Sequence, residues 1–130
     1  MSEIQQLHIT EQWIRKYARS INSPLQFFQG KLIAPSTMPI IFWPFFKETA
    51  NQDSPVLHGS QKFLYEEPMT AGMLLDCELA LLKMEEKKGK TRKLTLSTYE
   101  LTCKCEGRLI VVATTILIQV GETNEKIHHS

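Results

Sequence analysis

The chain has 130 residues, of which 42% are hydrophobic and 22% charged, and its 15 basic and 14 acidic side chains give a net charge of +1. This composition is close to the average of globular proteins and excludes a disordered or collagen-like chain. Both halves are balanced in charge, so no segment has the excess of Lys and Arg expected of a nucleic-acid-binding arm. We therefore expect a single domain over residues 1–130 without a nucleic-acid partner.

The chain contains three cysteines, which are Cys77, Cys103 and Cys105. An odd number cannot pair completely, and the second pair of ligands of a zinc site is missing, so we expect free thiols, no metal ion and no cofactor. Residues 1–9 lack the basic and apolar regions of a signal peptide, and the longest apolar run, residues 109–118, contains two threonines. A run of this length is too short to cross a bilayer. We therefore expect a cytoplasmic protein without a membrane segment.

A first helix is predicted after Thr10, because apolar side chains recur there at helical spacing while basic side chains occupy the other side. The apolar positions are Trp13, Ile14, Tyr17, Ala18 and Ile21. Thr10 is a favourable N-cap residue, and the sequence Asn22-Ser23-Pro24 is typical of a helix end.

A second helix is predicted from Ile40 to Phe46, where almost every side chain is apolar, so this helix would be buried. Pro39 suits the first turn of a helix. Pro44 removes a hydrogen-bond donor from the helix interior. We therefore expect a short or kinked helix, followed by a loop over residues 47–60.

Apolar and polar side chains alternate after residue 60, which predicts strands over residues 62–65, 73–86, 91–104 and 108–120. The second segment, residues 73–86, has the composition of a helix. However, Gly72 and Gly89 lie on either side of it, and the segment between them is about as long as each of the next two strands. We therefore predict a strand there as well. The alternation changes phase at Thr98, which predicts a bulge or a twist.

Together these elements predict an α+β fold, in which a long antiparallel sheet of at least four strands wraps around the buried helix. Residues 121–130 are expected to be a frayed tail. Such a sheet has one packed face, one open face and two edges. We expect a dimer to cover part of this surface.

Several segments, in one order over residues 10–120, resemble the N-terminal hot-dog module of MaoC-type dehydratases. They are residues 14–21, 23–25, 33–39, 56–63 and 65–72, and the last contains the pattern of Pro, two residues, Ala and Gly that leads into the long strands. The resemblance implies a hot-dog fold and an acyl thioester of coenzyme A or acyl carrier protein as the ligand. It also implies the reversible hydration of a trans-2-enoyl thioester to an (R)-3-hydroxyacyl thioester.

The chain departs from this family at the catalytic positions. Active modules carry an Asp and a His in a D-x-N-P-x-H stretch after the first helix, and the resemblance places Ile21 and Gln26 there. Neither side chain can act as a general acid or base. The resemblance therefore implies a non-catalytic, tunnel-forming subunit that works with a MaoC-like partner carrying the Asp and the His.

The resemblance also indicates where a thioester oxygen would bind. The turn that supplies the oxyanion donors reads Ala34-Pro35-Ser36-Thr37 here, and Pro35 has no amide hydrogen. We expect the amides of Ser36 and Thr37, at the start of the buried helix, to bind the substrate oxygen. His58 is a further candidate for substrate binding or for a base near the acyl tunnel, although a structural role is expected to be more common for such a histidine.

Two alternative functions remain open at this stage. The chain could be a stand-alone homodimer that binds acyl thioesters without catalysis. It could also be an acyl-CoA thioesterase, although the absence of Asp and Glu between Glu11 and Lys47 counts against that hypothesis because such enzymes use a carboxylate near the central helix.

Overall fold

The computed structural model describes residues 2–50 and 56–122. Its strands are β1 (Ser2–His8), β2 (Gln26–Phe28), β3 (Lys31–Ile33), β4 (Val56–Tyr65), β5 (Leu74–Lys88), β6 (Arg92–Cys105) and β7 (Arg108–Glu122). Five of them form one antiparallel sheet in the order β1-β5-β6-β7-β4, and β2 pairs with β3. The helices are α1 (Glu11–Ser20) and the single turn α2 (Lys47–Ala50). The predicted α+β architecture is confirmed, and none of the helices in the described ranges is long and apolar enough to cross a bilayer.

Helix α1 forms as predicted, with defined caps at both ends. The Trp13 amide donates to the Thr10 hydroxyl at 3.0 Å, which satisfies one of the free donors of the first turn. At the other end, Asn22 adopts a left-handed conformation with φ of 54°. The Ser23 amide then donates back to the Ala18 carbonyl at 2.9 Å, which is a Schellman cap. Ile21 is thus the C-cap residue rather than part of the helix.

The buried segment after β3 is not the helix expected from its apolar sequence. It consists of two short 3-10 turns, Met38–Ile41 and Trp43–Phe45, each with a proline in its first two positions. A proline supplies no amide hydrogen and its ring clashes with the preceding turn, so a continuous α-helix cannot form. The predicted burial is correct, since Met38, Phe42 and Phe46 are inaccessible to solvent.

Residues 47–60 were expected to form a loop, and this expectation is wrong at both ends. Residues 47–50 form α2, and β4 already begins at Val56. The central part of the expected loop, residues 51–55, lies outside the described residues. Tyr99 on β6 donates its hydroxyl to Glu48 at 3.0 Å and thereby ties α2 to the sheet.

The three long strands are confirmed, and β5 is a strand despite its helix-favouring composition. It pairs with β6 along one side and, over residues 74–80, with β1 along the other. The predicted bulge is present but lies in β5, between Leu81 and Lys83, opposite Tyr99 and Thr98. Burial alternates along β6 from Leu96 to Cys105, with Leu96 and Thr98 on the same, outer face of the sheet.

Strand β1 was missed by the sequence interpretation because most of its residues are polar. It adds to the edge of β5, and its Glu3 carboxylate accepts the Lys47 amide at 2.8 Å and the Glu48 amide at 3.3 Å. These bonds, above all that of Lys47, lower the pKa of Glu3. The expected tail is also corrected, since β7 continues through Glu122, and residues 123–130 lie outside the described residues.

Replacing Phe42 tests the burial of the proline-containing segment. Phe42→Ala leaves a cavity in the core, so we expect the free energy of unfolding to fall by about 3–5 kcal/mol. Phe27→Ala is the matched control, because Phe27 is 58% exposed and its loss should change stability by less than about 0.5 kcal/mol. Urea denaturation measures both, and equal effects would contradict the assignment of the core.

The contact between Tyr99 and Glu48 predicts a loss of stability at alkaline pH. Burial, followed by the bond to Glu48, raises the pKa of Tyr99 from 10.0 to about 12. Below pH 10 the hydroxyl is protonated in both states, whereas between pH 10 and 12 the unfolded chain loses this proton first. The free energy of unfolding should therefore fall over this interval, and by less in Tyr99→Phe. An unchanged alkaline slope in this variant would contradict the prediction.

Candidate functional site

Two tyrosine hydroxyls hold the turn formed by residues 34–37. From α1, the Tyr17 hydroxyl lies 2.7 Å from the Thr37 hydroxyl. From the end of β4, the Tyr65 hydroxyl donates to the Ser36 carbonyl at 2.8 Å. Since the two tyrosines belong to elements on opposite sides of the turn, they fix the backbone of Ser36 and Thr37 relative to both.

The amide hydrogens of Ser36 and Thr37 are not used inside the described part of the protein. Neither donates to any protein group in residues 2–50 and 56–122, whereas the Met38 amide is used by the Pro35 carbonyl at 2.9 Å. Adjacent backbone amides of this kind can bind a carbonyl oxygen or an oxyanion. The expectation that they lie at a helix start is corrected, because the turn leads only into the four-residue 3-10 segment and so has no sizeable helix dipole behind it.

A cleft of about 400 Å³ lies beside this turn. It is lined by Ile33, Ala34, Ser36, Tyr65, Glu66, Glu67, Pro68 and Met69. Of the two carboxylates, Glu67 is bound by the Arg108 guanidinium at 3.0 and 3.3 Å. Burial raises the pKa of Tyr65 far above its ordinary value, so this hydroxyl stays protonated and acts as a donor, not as a base.

The two positions that the resemblance assigns to the catalytic Asp and His lie around the same turn. Ile21 follows Tyr17 by one helical turn, and Gln26 lies opposite Ile33, which lines the cleft. Both residues are exposed. Neither side chain lines the cleft itself, and an aliphatic side chain and a neutral amide cannot transfer protons at either position.

His58 lies at the other end of β4 from this cleft. Seven residues of strand separate it from Tyr65, which corresponds to about 20 Å. Its Nδ1 lies 3.1 Å from Nε2 of Gln61, whose side chain also contacts the Thr115 hydroxyl. A register shift between His58 and Gln61 brings these side chains together. The structure therefore does not bring His58 to Ser36 and Thr37.

The sequence interpretation missed the roles of Tyr17 and Tyr65. Tyr17 was assigned to the apolar side of the helix, which is correct, since it is 8% exposed. One property of tyrosine could have indicated these contacts. A buried tyrosine normally requires a hydrogen-bond partner for its hydroxyl, and the partner had to come from a neighbouring loop.

The cysteines remain free thiols, as expected. Cys77 and Cys103 face each other across β5 and β6 with their sulfur atoms 3.2 Å apart. This contact, together with burial, strongly raises the pKa of Cys103. A protonated, buried thiol is a poor nucleophile.

Comparison with known proteins identifies the family. A family model described as the FAS1-like dehydratase domain region matches residues 2–115, whereas no curated protein matches the sequence. The HadBC complex of Mycobacterium tuberculosis, a (3R)-hydroxyacyl-ACP dehydratase, is similar in structure, with a TM-score of 0.71 and 19% identity over 90% of this chain and 95% of that chain.

Two further solved structures have the same fold at lower identity. The ChsH1–ChsH2 complex of Mycobacterium tuberculosis gives a TM-score of 0.70 with 7% identity over 95% of this chain and 84% of that chain. The (R)-hydratase of A. caviae, involved in PHA biosynthesis, gives 0.65 with 10% identity over 90% of this chain and 92% of that chain. These similarities confirm the expected hot-dog fold. Because the family model covers most of its length, the chain belongs to the FAS1-like dehydratase region family, of the MaoC type.

Proposed function

We propose that the chain is a non-catalytic, tunnel-forming subunit of a 3-hydroxyacyl-thioester dehydratase, which in the reverse direction is an (R)-specific enoyl-CoA hydratase. A MaoC-like partner subunit supplies the catalytic Asp and His. The observation that carries this proposal is that the chain belongs to a dehydratase family while Ile21 and Gln26 occupy the positions to which the resemblance assigns the acid and the base. A role in fatty acid metabolism and a cytoplasmic location belong to the same proposal.

The chemistry divides between the two subunits. Addition of water to an enoyl thioester requires one group that takes a proton from water and one that handles the proton at the α-carbon. It also requires donors that stabilise the enolate oxygen. In this chain, the amides of Ser36 and Thr37 can serve as such donors, and the apolar wall of the cleft can hold the acyl group. The proton transfers belong to the partner.

The partner would add to the edge of the sheet at β4. The outer edge of this strand pairs with no strand in the described part of the chain, and Leu57 and Leu64 are 59% and 57% exposed. An exposed edge with apolar side chains is a template for a further strand. The opposite edge, β1, is less suitable because Glu3 and two glutamines dominate it. HadBC and ChsH1–ChsH2 were both solved as complexes, which supports a partner of the same fold.

Purification of the tagged chain from its native cells tests this proposal. We expect a stoichiometric partner of similar size whose sequence contains D-x-N-P-x-H, and the mixture should hydrate a trans-2-enoyl thioester while each chain alone does not. The measurements are mass spectrometry of the retained proteins and the loss of enoyl absorbance. A stable homodimer without such a partner would contradict the proposal, as would release of free thiol by the pure chain, which would instead favour a thioesterase.

Charged substitutions on β4 test the docking edge. Leu57→Lys combined with Leu64→Lys should weaken retention of the partner by about tenfold or more, because lysines oppose strand addition at an edge. Ile4→Lys on β1 is the matched control, since Ile4 is 65% exposed and lies on the other edge. Size-exclusion chromatography of the complex measures retention. Equal weakening by the control would exclude β4 as the specific edge.

A further inference from the structure

Trp13 forms a wall shared by two clefts at the surface of α1. The first cleft has a volume of about 570 Å³ and is also lined by Thr10, Gln12, Arg15, Lys16 and Arg19. The second has a volume of about 380 Å³, lies between α1 and β1, and includes Gln5, Gln6, His8 and Phe45. Both are separate from the cleft at Ser36, so an indole ring separates two depressions that the proposed chemistry does not use.

The indole of Trp13 is held in place by two other rings. The centroid of Phe42 lies 5.5 Å away at an interplanar angle of 35°, and that of Phe45 lies 5.7 Å away at 75°. Phe42 is completely buried and therefore anchors the indole to the core. Trp13 itself is only half-buried, so it offers a rigid aromatic surface to a ligand.

Positive charge lies directly beside this ring. Arg15, Lys16 and Arg19 are exposed on α1, and of these Arg15 pairs with Glu11 at 2.8 Å. Lys16 and Arg19 make no ion pair with any residue in the described ranges. Two uncompensated cations are therefore available to bind phosphate groups.

A hydrogen-bond acceptor lies on the other side of the ring. Gln5, on the same face of β1 as the buried Leu7, uses its Nε2 to donate to Glu3 at 3.0 Å. This bond orients the Gln5 amide and leaves its Oε1 atom as an acceptor. An exocyclic amino group on a heteroaromatic ring is the complementary donor, and adenine carries one at N6.

We infer that the clefts around Trp13 bind a phosphorylated adenine nucleotide. The purine packs against the indole, its amino group donates to Gln5, and its phosphates contact Lys16 and Arg19. The inference rests on the proposed function in one respect, because it takes coenzyme A as the carrier of the acyl group. The nucleotide end of coenzyme A has these groups. Tyr17 contacts Thr37 about 6 Å further along the same helix, so α1 links the nucleotide site to the thioester site.

Tryptophan fluorescence of the full chain, titrated with adenosine 3′,5′-bisphosphate, tests this inference. The other tryptophan, Trp43, is buried in the core, so we expect saturable quenching that is lost in Trp13→Phe. Lys16→Ala combined with Arg19→Ala should weaken the affinity by about tenfold or more, since charge-assisted bonds are removed. Lys104→Ala, which removes an exposed charge on β6, should leave the affinity unchanged.

Three results would overturn the inference. They are the absence of saturable quenching in the wild type, equal weakening by Lys104→Ala, and full reversal of the quenching by pyrophosphate at a concentration equal to that of the nucleotide. The last result would indicate a site that binds anions in general, including those on acidic protein surfaces. In such a site the indole of Trp13 would contribute nothing to the affinity.

The test is independent of the partner. Failure of nucleotide binding in a complex that still hydrates enoyl thioesters would overturn only the nucleotide site. Nucleotide binding by a chain that has no partner with an Asp and a His would overturn only the proposed function.

Discussion

The segment from Met38 to Phe46 imposes the constraint on which the rest of the structure depends. It must bury large apolar side chains while Pro39 and Pro44 prevent a regular helix. The chain meets both demands with two short 3-10 turns, which keep local hydrogen bonds such as that from the Phe45 amide to the Phe42 carbonyl at 3.1 Å. The alternating inner side chains of β5, β6 and β7 then pack against this irregular block, and α1 closes its side.

An irregular core segment fixes its neighbours less well than a helix, which explains the importance of the two tyrosine hydroxyls. Tyr17 and Tyr65 attach the turn before this segment to α1 and to β4. The turn thereby has a defined backbone even though no long helix follows it. This fixed backbone leaves two adjacent amides unused within the described residues, which is the feature on which the proposed binding of a thioester oxygen rests.

The sequence predicts those parts of the fold whose pattern is local. Helix α1 has its caps and periodicity within twelve residues, and the strands from β5 to β7 show their alternation directly. Strand β1 could not be predicted because it is a polar edge strand whose partner lies far along the chain. The resemblance to the family pointed to Ser36 and Thr37 as candidate donors for a thioester oxygen. It could not supply the contacts of Tyr17 and Tyr65, because these depend on tertiary packing. The position of His58 near the start of β4, far from Ser36, likewise depends on how β4 packs beside the turn.

The sheet combines strands that are neighbours in the sequence with strands that are not. The pairs β5–β6 and β6–β7 are hairpins, but Ser2 pairs with Ala80 and Leu57 with Ile118. Closing such long loops costs more conformational entropy than closing a hairpin. During synthesis, β1 leaves the ribosome long before β5 is made, so Ile4 and its neighbours have no partner strand until then. Within the five-stranded sheet, the meander of β5, β6 and β7 thus closes the shortest loops, whereas each of the two edge strands must close a longer one.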